Sequence, residues 1–200
     1  MQMMASMLRP AAAGVNNSAI EYAINGVASY VSKGQESLRG GVREGLKKAI
    51  EKCSDNPTKA FLMTALQICA TAEDGAFYAE KLSDAYLGNF AARALASIQG
   101  TEPLVAELIN AQKENGYSKI LLAQIASYKN IPEVETALLT WLGTATPEER
   151  CQINLALASC GGVKAVKVLG AQAKAVDYSF ETTDAYGAYS AILTRMVKEN

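Results

Sequence analysis

Cysteines and carboxylates are the side chains that could support chemistry in this chain, because the 200-residue sequence contains no histidine. Without histidine the chain lacks the usual general base near neutral pH and the commonest zinc ligand. Serine–histidine and cysteine–histidine nucleophile pairs are excluded for the same reason. Chemistry by carboxylates alone or by lysine remains open, so most classes of enzyme are disfavoured.

The cysteines show no zinc or redox motif, since none of them forms a C-x-x-C pair: Cys53, Cys69, Cys151 and Cys160. We predict that Cys151 and Cys160 share one helix, where their separation of about 13 Å excludes a disulfide. We predict that Cys53 and Cys69 lie near opposite ends of another helix, with the same consequence. Four free, buried thiols are therefore expected.

The acidic residues show no pair that would predict hydrolysis. They concentrate at five positions: Glu148, Glu149, Asp177, Glu181 and Asp184. Glu148 and Glu149 are adjacent and point different ways on a helix, and with Thr146 they form a helix cap. Two carboxylates that hydrolyse a glycosidic bond must instead face each other about 5–9 Å apart. The glycine pairs 40–41 and 161–162 lack the preceding strand of a phosphate-binding loop. We expect no catalytic residue, no cofactor and no metal ligand.

Helical periodicity runs through the whole sequence, and no segment alternates as a strand would. Prolines mark predicted helix starts, where a missing N–H is tolerated: Pro57, Pro103, Pro132 and Pro147. Gly100, Gly116 and the pair 161–162 follow predicted helix ends. The pattern predicts an all-α fold of about eleven helices joined by short turns, so that neighbouring helices run antiparallel.

One short pattern recurs along the chain at a nearly constant interval. It appears at Ala94–Ile98, Gln124–Tyr128 and Ala156–Cys160, with a looser copy at Ala65–Ile68. The last large residues of the copies are 30, 30 and 32 positions apart: Ile68, Ile98, Tyr128 and Cys160. A period of roughly 20–50 residues is typical of stacked helical hairpins, and it predicts an α-solenoid. The alternative is a closed all-α bundle, whose helix pairs need no equivalent positions.

The segment Asn89–Ile98, with its small residues and its Arg93-Ala94-Leu95 face, resembles the second helix of HEAT-type repeats. The resemblance covers roughly residues 59–172 and implies a HEAT-like solenoid, which is a right-handed α–α superhelix. We predict one domain over residues 1–200, composed of irregular helices at 1–54, regular repeats at 55–175 and a C-terminal capping helix at 176–200.

Other segments resemble the helical N-terminal region of exported bacterial proteins that carry a C-terminal concanavalin-like domain of the 3-keto-disaccharide hydrolase type. These segments are Val15–Lys33, Asp55–Leu62 and Tyr178–Val197. The residues of that hydrolase domain are not in this sequence, so none of its catalytic residues is transferred. The resemblance implies a periplasmic or exported protein if a signal peptide lies upstream. The apolar start at residues 3–8 looks like the second half of an amphipathic helix, which suggests a natural chain that extends upstream.

In HEAT-like arrays the second helices line the concave surface, so one stripe along these helices is the predicted partner face. Steps of four residues stay on one helix face. The stripe comprises Lys59, Met63, Gln67, Asn89, Arg93, Ser97, Lys119, Ala123, Ser127, Cys151, Leu155 and Ser159. The candidate partner-binding residues within it are Lys59, Asn89, Arg93, Lys119 and Ser127. The alternative is simple solvent exposure, with the serines packed at helix contacts.

Charge and hydropathy argue against nucleic acid and membrane partners. The 19 basic residues balance 20 acidic ones to a net charge of −1, which gives no electrostatic reason to expect nucleic acid. No apolar run reaches the roughly 18 residues of a membrane span. A basic run is interrupted by Glu44 and Glu51 and is predicted to form a solvated helix surface with ion pairs: Arg39, Arg43, Lys47, Lys48 and Lys52.

Aromatic residues concentrate near the C-terminus: Tyr178, Phe180, Tyr186 and Tyr189. Exposed rings could stack on a saccharide, whereas a helix that closes the last repeat would bury them. Trp141 is predicted to lie in the core.

Together these features predict a non-catalytic scaffold or protein-interaction module. Its partner would be another protein or a covalently linked downstream domain. The alternative is an accessory region of a larger carbohydrate-active hydrolase, which binds sugar or positions the catalytic domain.

Overall fold

The computed structural model describes residues 1–10 and 12–199. This part of the chain is 72% helical and contains no strand, so the all-α prediction is confirmed. It forms two compact units, Met1–Gln99 and Gly100–Asn200.

The described residues of the first unit form six α-helices, and a 3-10 turn at Ala72–Asp74 precedes the fifth. The helices are α1 (Gln2–Ala5), α2 (Ser18–Val31), α3 (Glu36–Lys52), α4 (Asn56–Cys69), α5 (Gly75–Ala79) and α6 (Gly88–Ser97). Helix α4 packs against both α2 and α6, while α3 packs on α4 and α5 packs on α6. Alternate helices of this unit therefore lie side by side in the order α2, α4, α6.

The described residues of the second unit form seven α-helices, and a 3-10 turn at Pro132–Val134 precedes the fourth. The helices are α7 (Glu102–Asn110), α8 (Gln112–Asn115), α9 (Lys119–Tyr128), α10 (Glu135–Leu142), α11 (Pro147–Cys160), α12 (Val163–Ala175) and α13 (Ala185–Glu199). Helix α11 packs against both α9 and α13, while α10 packs on α11 and α12 packs on α13. Helices α1, α5 and α8 are too short to show a hydrophobic period, which explains why the sequence suggested fewer helices.

Helix starts and ends follow the signals in the sequence. Pro57, Pro103 and Pro147 lie in the first turns of α4, α7 and α11, and Pro132 begins a 3-10 turn. Thr146 and Glu149 form the expected capping box: each side chain accepts a hydrogen bond from the other residue's backbone N–H, at 3.3 and 2.9 Å. These signals depend only on neighbouring residues, so they can be read from the sequence without knowledge of the tertiary packing.

Four helices, α4, α6, α9 and α11, share one order of buried positions. Each has two consecutive buried residues, then one that is more exposed, then two buried again, and finally a buried residue three positions later. The first pairs are Leu62–Met63, Ala91–Ala92, Leu122–Ala123 and Ile153–Asn154. The final buried residues are Cys69, Ile98, Lys129 and Cys160, at intervals of 29, 31 and 31 positions.

Two of the repeat markers read from the sequence are therefore displaced by one residue. Ile68 is 39% exposed and Tyr128 is 75% exposed, whereas Cys69 and Lys129 occupy the positions equivalent to Ile98. The markers were assigned by residue size, and at the third repeat the buried position holds a lysine. Lys129 is buried because its Nζ lies 2.7 Å from Oε1 of Glu102.

The helices that follow these four also bury residues in steps of four, which keeps them on one face. The buried sets are Asp74–Tyr78–Leu82, Thr101–Val105–Ile109, Val134–Leu138–Leu142 and Ala165–Leu169–Ala173. Trp141 is buried beside Leu142, as predicted.

Arginines from other helices close the carboxyl ends of α4 and α11. Arg39 of α3 donates hydrogen bonds to the carbonyl oxygens of Cys69 and Ala70, both at 2.7 Å. Arg195 of α13 donates to the carbonyl oxygen of Ala158 at 3.1 Å and to that of Gly161. Helix ends leave carbonyls without intrahelical partners, and these guanidinium groups satisfy several of them.

Candidate functional site

The predicted partner-binding residues fall into both units. Lys59, Asn89 and Arg93 belong to the first unit, and Lys119 and Ser127 belong to the second. Asn89 and Arg93 are exposed neighbours on α6, while the other three are half-buried.

The predicted stripe has the wrong register in α4 and α9. Met63 and Ala123 were assigned to the exposed stripe but are buried, and the more exposed residues are Thr64 and Gln124, one position later. This is the same displacement as that of the repeat markers. In α6 the stripe is correct, because its three members, Asn89, Arg93 and Ser97, are all exposed.

Arg93 is held at the surface between a hydroxyl group and an aromatic ring. Its Nη2 donates a hydrogen bond of 3.1 Å to Oγ1 of Thr64, and its guanidinium carbon lies 5.4 Å from the centre of the Phe90 ring. The Phe90 ring lies 6.1 Å from that of Tyr86, nearly parallel to it at 19°. We call Thr64, Tyr86, Phe90 and Arg93 the Arg93 face. In the Arg93 face, the arginine contacts the Phe90 ring through a cation–π interaction, and that ring packs against the Tyr86 ring.

Local hydrogen bonds fix both sides of the Arg93 face. Oγ1 of Thr64 donates to the carbonyl oxygen of Ala60 at 3.0 Å, which leaves its lone pairs for Arg93. Oδ1 of Asp84 accepts the backbone N–H groups of Leu87 and Tyr86, both at 2.8 Å, and so orders the turn before α6. These bonds lower the pKa of Asp84 and keep its charge at the turn.

A second hydrogen bond joins α4 to α6 beside the Arg93 face. Nε2 of Gln67 donates to Oγ of Ser97 at 2.7 Å, and Ser97 in turn donates to the carbonyl oxygen of Ala94 at 3.0 Å. Both residues were in the predicted stripe. Side chains of α4 and α6 thus hold the Arg93 face in one arrangement.

The guanidinium of Arg93 can donate hydrogen bonds to a carboxylate of a partner. Arg39, Arg43 and Arg195 each pair with a carboxylate, but Arg93 has none among residues 1–10 and 12–199. A guanidinium offers five N–H donors in a planar fork that matches a carboxylate. The Arg93 face therefore provides an oriented positive group next to two aromatic rings.

In the second unit the corresponding surface is more apolar. Nζ of Lys119 lies 3.4 Å from Oγ1 of Thr144, and Oγ of Ser127 donates to the carbonyl oxygen of Gln124 at 2.7 Å. The exposed large hydrophobic residues on α9 and α11 are Ile120, Tyr128 and Leu155. Of these, only Leu155 was in the predicted stripe, because the one-residue displacement in α9 concealed the other two.

The basic run on α3 was predicted to be a solvated surface, and for three of its members this is wrong. Nε of Arg43 lies 2.6 Å from Oδ2 of Asp74, and its Nη2 lies 2.9 Å from Oε2 of Glu73. Nζ of Lys47 lies 3.1 Å from Oδ1 of Asp74 and also pairs with Glu44. Arg39 closes the end of α4, so only Lys48 and Lys52 are exposed. The acidic partners Glu73 and Asp74 are about thirty residues away in sequence, which is why the pattern could not reveal them.

The four cysteines are all free thiols. Cys151 and Cys160 share α11 as predicted, but Cys53 follows α3 whereas Cys69 ends α4, so the prediction of a shared helix for that pair is wrong. Cys69 and Cys160 are buried, and burial raises the pKa of each thiol to about 11. Cys53 and Cys151 are only half-buried, against the prediction.

Glu181, one of the acidic residues near the C-terminus, caps the start of α13. Glu181 accepts hydrogen bonds from the backbone N–H and the hydroxyl of Thr183, at 2.7 and 2.6 Å, and from the N–H of Ala185 at 3.0 Å. The bonds from Thr183 and Ala185 lower the pKa of Glu181. Within residues 1–10 and 12–199 no three acidic or cysteine side chains are grouped as metal ligands would be.

The C-terminal aromatic residues form a cluster that remains partly in solvent. The Tyr186 ring lies edge-on to those of Tyr178 and Phe180, with centroid distances of 6.1 and 5.7 Å. Phe180 is 84% exposed. Tyr189 instead packs against Gly170, where even a Cβ atom would lie 3.0 Å from the tyrosine ring. Tyr189 therefore lies in the contact between α12 and α13.

Comparison with protein-family models, with curated proteins and with solved structures finds no match for this chain. Among the helices that the structure describes, none has both the length and the hydropathy needed to cross a membrane.

Proposed function

We propose that this chain is a HEAT-like repeat protein that acts as a non-catalytic scaffold or protein-interaction module. Its hairpins stack over residues 55–175 in a right-handed α–α superhelix, within one domain. The common order of buried residues in α4, α6, α9 and α11 supports this proposal. The side-by-side packing of α2, α4 and α6 in one unit, and of α9, α11 and α13 in the other, supports it too.

Small-angle X-ray scattering tests the superhelix separately from its function. A compact 200-residue chain has a radius of gyration of about 16 Å, and a row of stacked hairpins has a larger one. A measured value at the compact limit would favour the closed bundle and contradict the superhelix.

The observation that carries the functional proposal is the Arg93 face. An arginine that is already oriented loses less side-chain entropy on binding than a free one. Arginine and tyrosine are also enriched among the residues that dominate binding energy in protein interfaces. The partner, either a separate protein or a linked downstream domain, presents a carboxylate to Arg93 beside an apolar group that covers Phe90.

Quantitative cross-linking and affinity capture test this face. We expect Arg93→Glu to lose a partner that the wild-type chain retains, because the substitution places a carboxylate against the partner's carboxylate. Lys48→Glu is the matched control, since Lys48 is an exposed cation of the same unit on α3. If Arg93→Glu retains every partner at wild-type yield, the Arg93 face is not the docking site.

A second candidate function, sugar binding in an accessory region of a carbohydrate-active hydrolase, is favoured by the exposed ring of Phe180. Aromatic faces stack on sugar rings, and Tyr178 and Tyr186 hold this ring in a cluster. A glycan array followed by calorimetry tests it. Phe180→Ala should abolish any saccharide binding, while Tyr22→Ala, at a tyrosine that is 83% exposed in the first unit, should not. No binding by the wild-type chain would remove this candidate.

A further inference from the structure

Helices α12 and α13 border an apolar groove of about 400 Å³ in the second unit. We call it the Val197 groove; its lining residues are Val163, Val166, Leu193, Met196 and Val197. Val197 is 78% exposed and Val163 is 61% exposed, so much of this apolar surface is in contact with water. Covering it would release free energy in proportion to the area removed from water.

The edge of the Val197 groove that α12 forms carries positive charge. Lys167 comes four residues after Val163 and therefore lies on the same helix face, and Lys164 follows Val163 directly. Both lysines are exposed, and neither forms an ion pair with the described part of the chain. The nearby carboxylates already have partners. Glu199 lies 2.9 Å from Nη1 of Arg195, and Oε1 of Glu135 accepts the N–H groups of Gly162 and Ala165. Two cations of α12 therefore lie along one edge of the apolar floor, and neither is neutralised by a carboxylate of the described residues.

We propose that the Val197 groove binds an amphipathic helix of a partner protein, with acidic residues along the edge of its apolar face that meets α12. A groove between two helices accepts side chains spaced i, i+3, i+4 and i+7, as in other complexes that place a helix in a groove. The two lysines of α12 select an acidic partner and steer its approach. This site involves none of the residues of the Arg93 face, so a result that contradicts one proposal leaves the other unaffected.

Selection from a displayed library of helical peptides, with the wild-type chain as bait and the Leu193→Glu chain as counter-bait, tests the groove. We expect the retained peptides to carry an apolar stripe and a net negative charge. Leu155→Glu is the matched control, because Leu155 is 37% exposed and Leu193 is 38% exposed. Selected peptides should bind the Leu155→Glu chain as tightly as the wild type, by fluorescence anisotropy. Val197→Glu, at a more exposed position, should abolish binding while circular dichroism shows an unchanged helical signal.

A charge-reversal pair separates recognition of the acidic edge from general hydrophobic binding. Lys164→Glu with Lys167→Glu should weaken the selected peptides about tenfold or more, and added salt should weaken wild-type binding. Lys174→Glu, an exposed lysine at the other end of α12, should have no such effect.

Other occupants give different results, each of which would overturn the proposal. A second copy of the chain would appear as a dimer in sedimentation that Leu193→Glu dissociates. A lipid surface would appear as groove-dependent binding to vesicles that contain phosphatidylserine. Enrichment of basic peptides, or no groove-dependent enrichment at all, would equally exclude an acidic helix.

Discussion

Nε of Arg43 lies 2.6 Å from Oδ2 of Asp74, and the Asp74 side chain is completely buried. The Thr71 N–H also donates to this oxygen at 3.0 Å, while Lys47 lies 3.1 Å from the other oxygen. A buried carboxylate is tolerated only when its charge is paired and its lone pairs are satisfied. Through this carboxylate, α3 is joined to the turn that leads into α5.

Removing Arg43 should therefore destabilise the first unit strongly. Arg43→Ala leaves the Asp74 charge with fewer partners, and breaking a buried ion pair from one side costs about 3–5 kcal/mol. Urea denaturation measures the change. Lys48→Ala on the same helix should alter stability by less than about 0.5 kcal/mol, because that lysine is exposed. Equal effects of the two substitutions would show that the pair is not important for folding.

Because of Asp74, the free energy of unfolding should also depend on pH. Burial acts to raise the pKa of Asp74, but hydrogen bonds from Arg43, Thr71 and Lys47 outweigh burial and hold the pKa below its ordinary value. The stability that the ionised Asp74 side chain contributes is fully present above the unfolded pKa of about 3.9. It is lost as the pH falls through the pKa of the folded state. Urea midpoints between neutral pH and pH 3 check it. The difference between wild type and Asp74→Asn should shrink toward the acid end, and a constant difference would contradict the assignment.

Two glycines should respond to alanine in opposite directions. A Cβ at Gly161 would lie 2.5 Å from the carbonyl oxygen of Leu157 and would also overlap the Ala165 side chain, so Gly161→Ala should cost about 1–3 kcal/mol. Gly41 lies within α3, and a Cβ added there would meet no atom within 4 Å, so Gly41→Ala should stabilise by about 0.5–1 kcal/mol. Thermal unfolding of both variants provides the measurement. A stabilising Gly161→Ala would mean that the turn relaxes.

The carboxylate of Glu135 should protect the first turn of α12. It accepts the N–H of Gly162 at 2.8 Å and that of Ala165 at 3.0 Å, and a carboxylate at a helix N-terminus also interacts favourably with the helix dipole. In Glu135→Ala we expect faster hydrogen exchange at both amides and a loss of about 1–2 kcal/mol. Glu133→Ala, at an exposed position nearby, is the control. Unchanged exchange at Gly162 would exclude the cap.

The cysteines should react with iodoacetamide in two groups. Cys69 and Cys160 are buried and have pKa values raised to about 11, so they remain protonated at neutral pH. Cys53 and Cys151 are half-buried and should be alkylated first in the folded chain. Peptide mass spectrometry under native conditions and in urea distinguishes the groups. Early alkylation of Cys69 would show that α4 opens more readily than its packing implies.

Local features of the fold were predictable from the sequence. The prolines at helix starts and the capping box at Thr146 depend on only a few neighbouring residues, and the structure places them as expected. The repeat period was visible because apolar residues recur. Its register was not, since Lys129 occupies a buried position through an ion pair with Glu102, which no hydrophobic pattern can indicate.

The candidate site was predictable in part. Arg93 and Asn89 lie on the exposed side of α6 as the spacing suggested. The sequence could not show that Thr64 holds Arg93, because this contact joins residues 29 positions apart. The spacing of Tyr86, Phe90 and Arg93 in steps of four and three could have revealed the line of rings.

The arginines that close α4 and α11 limit how freely this chain could exchange or duplicate its hairpins. A hairpin transplanted without α3 or α13 would arrive with exposed carbonyl groups where Arg39 or Arg195 now donates. Recombination that inserts or deletes a single hairpin would therefore need to carry part of its neighbour. Engineering that adds a hairpin to this chain must therefore also supply an arginine from a neighbouring helix to bind the carbonyl groups at the hairpin's end.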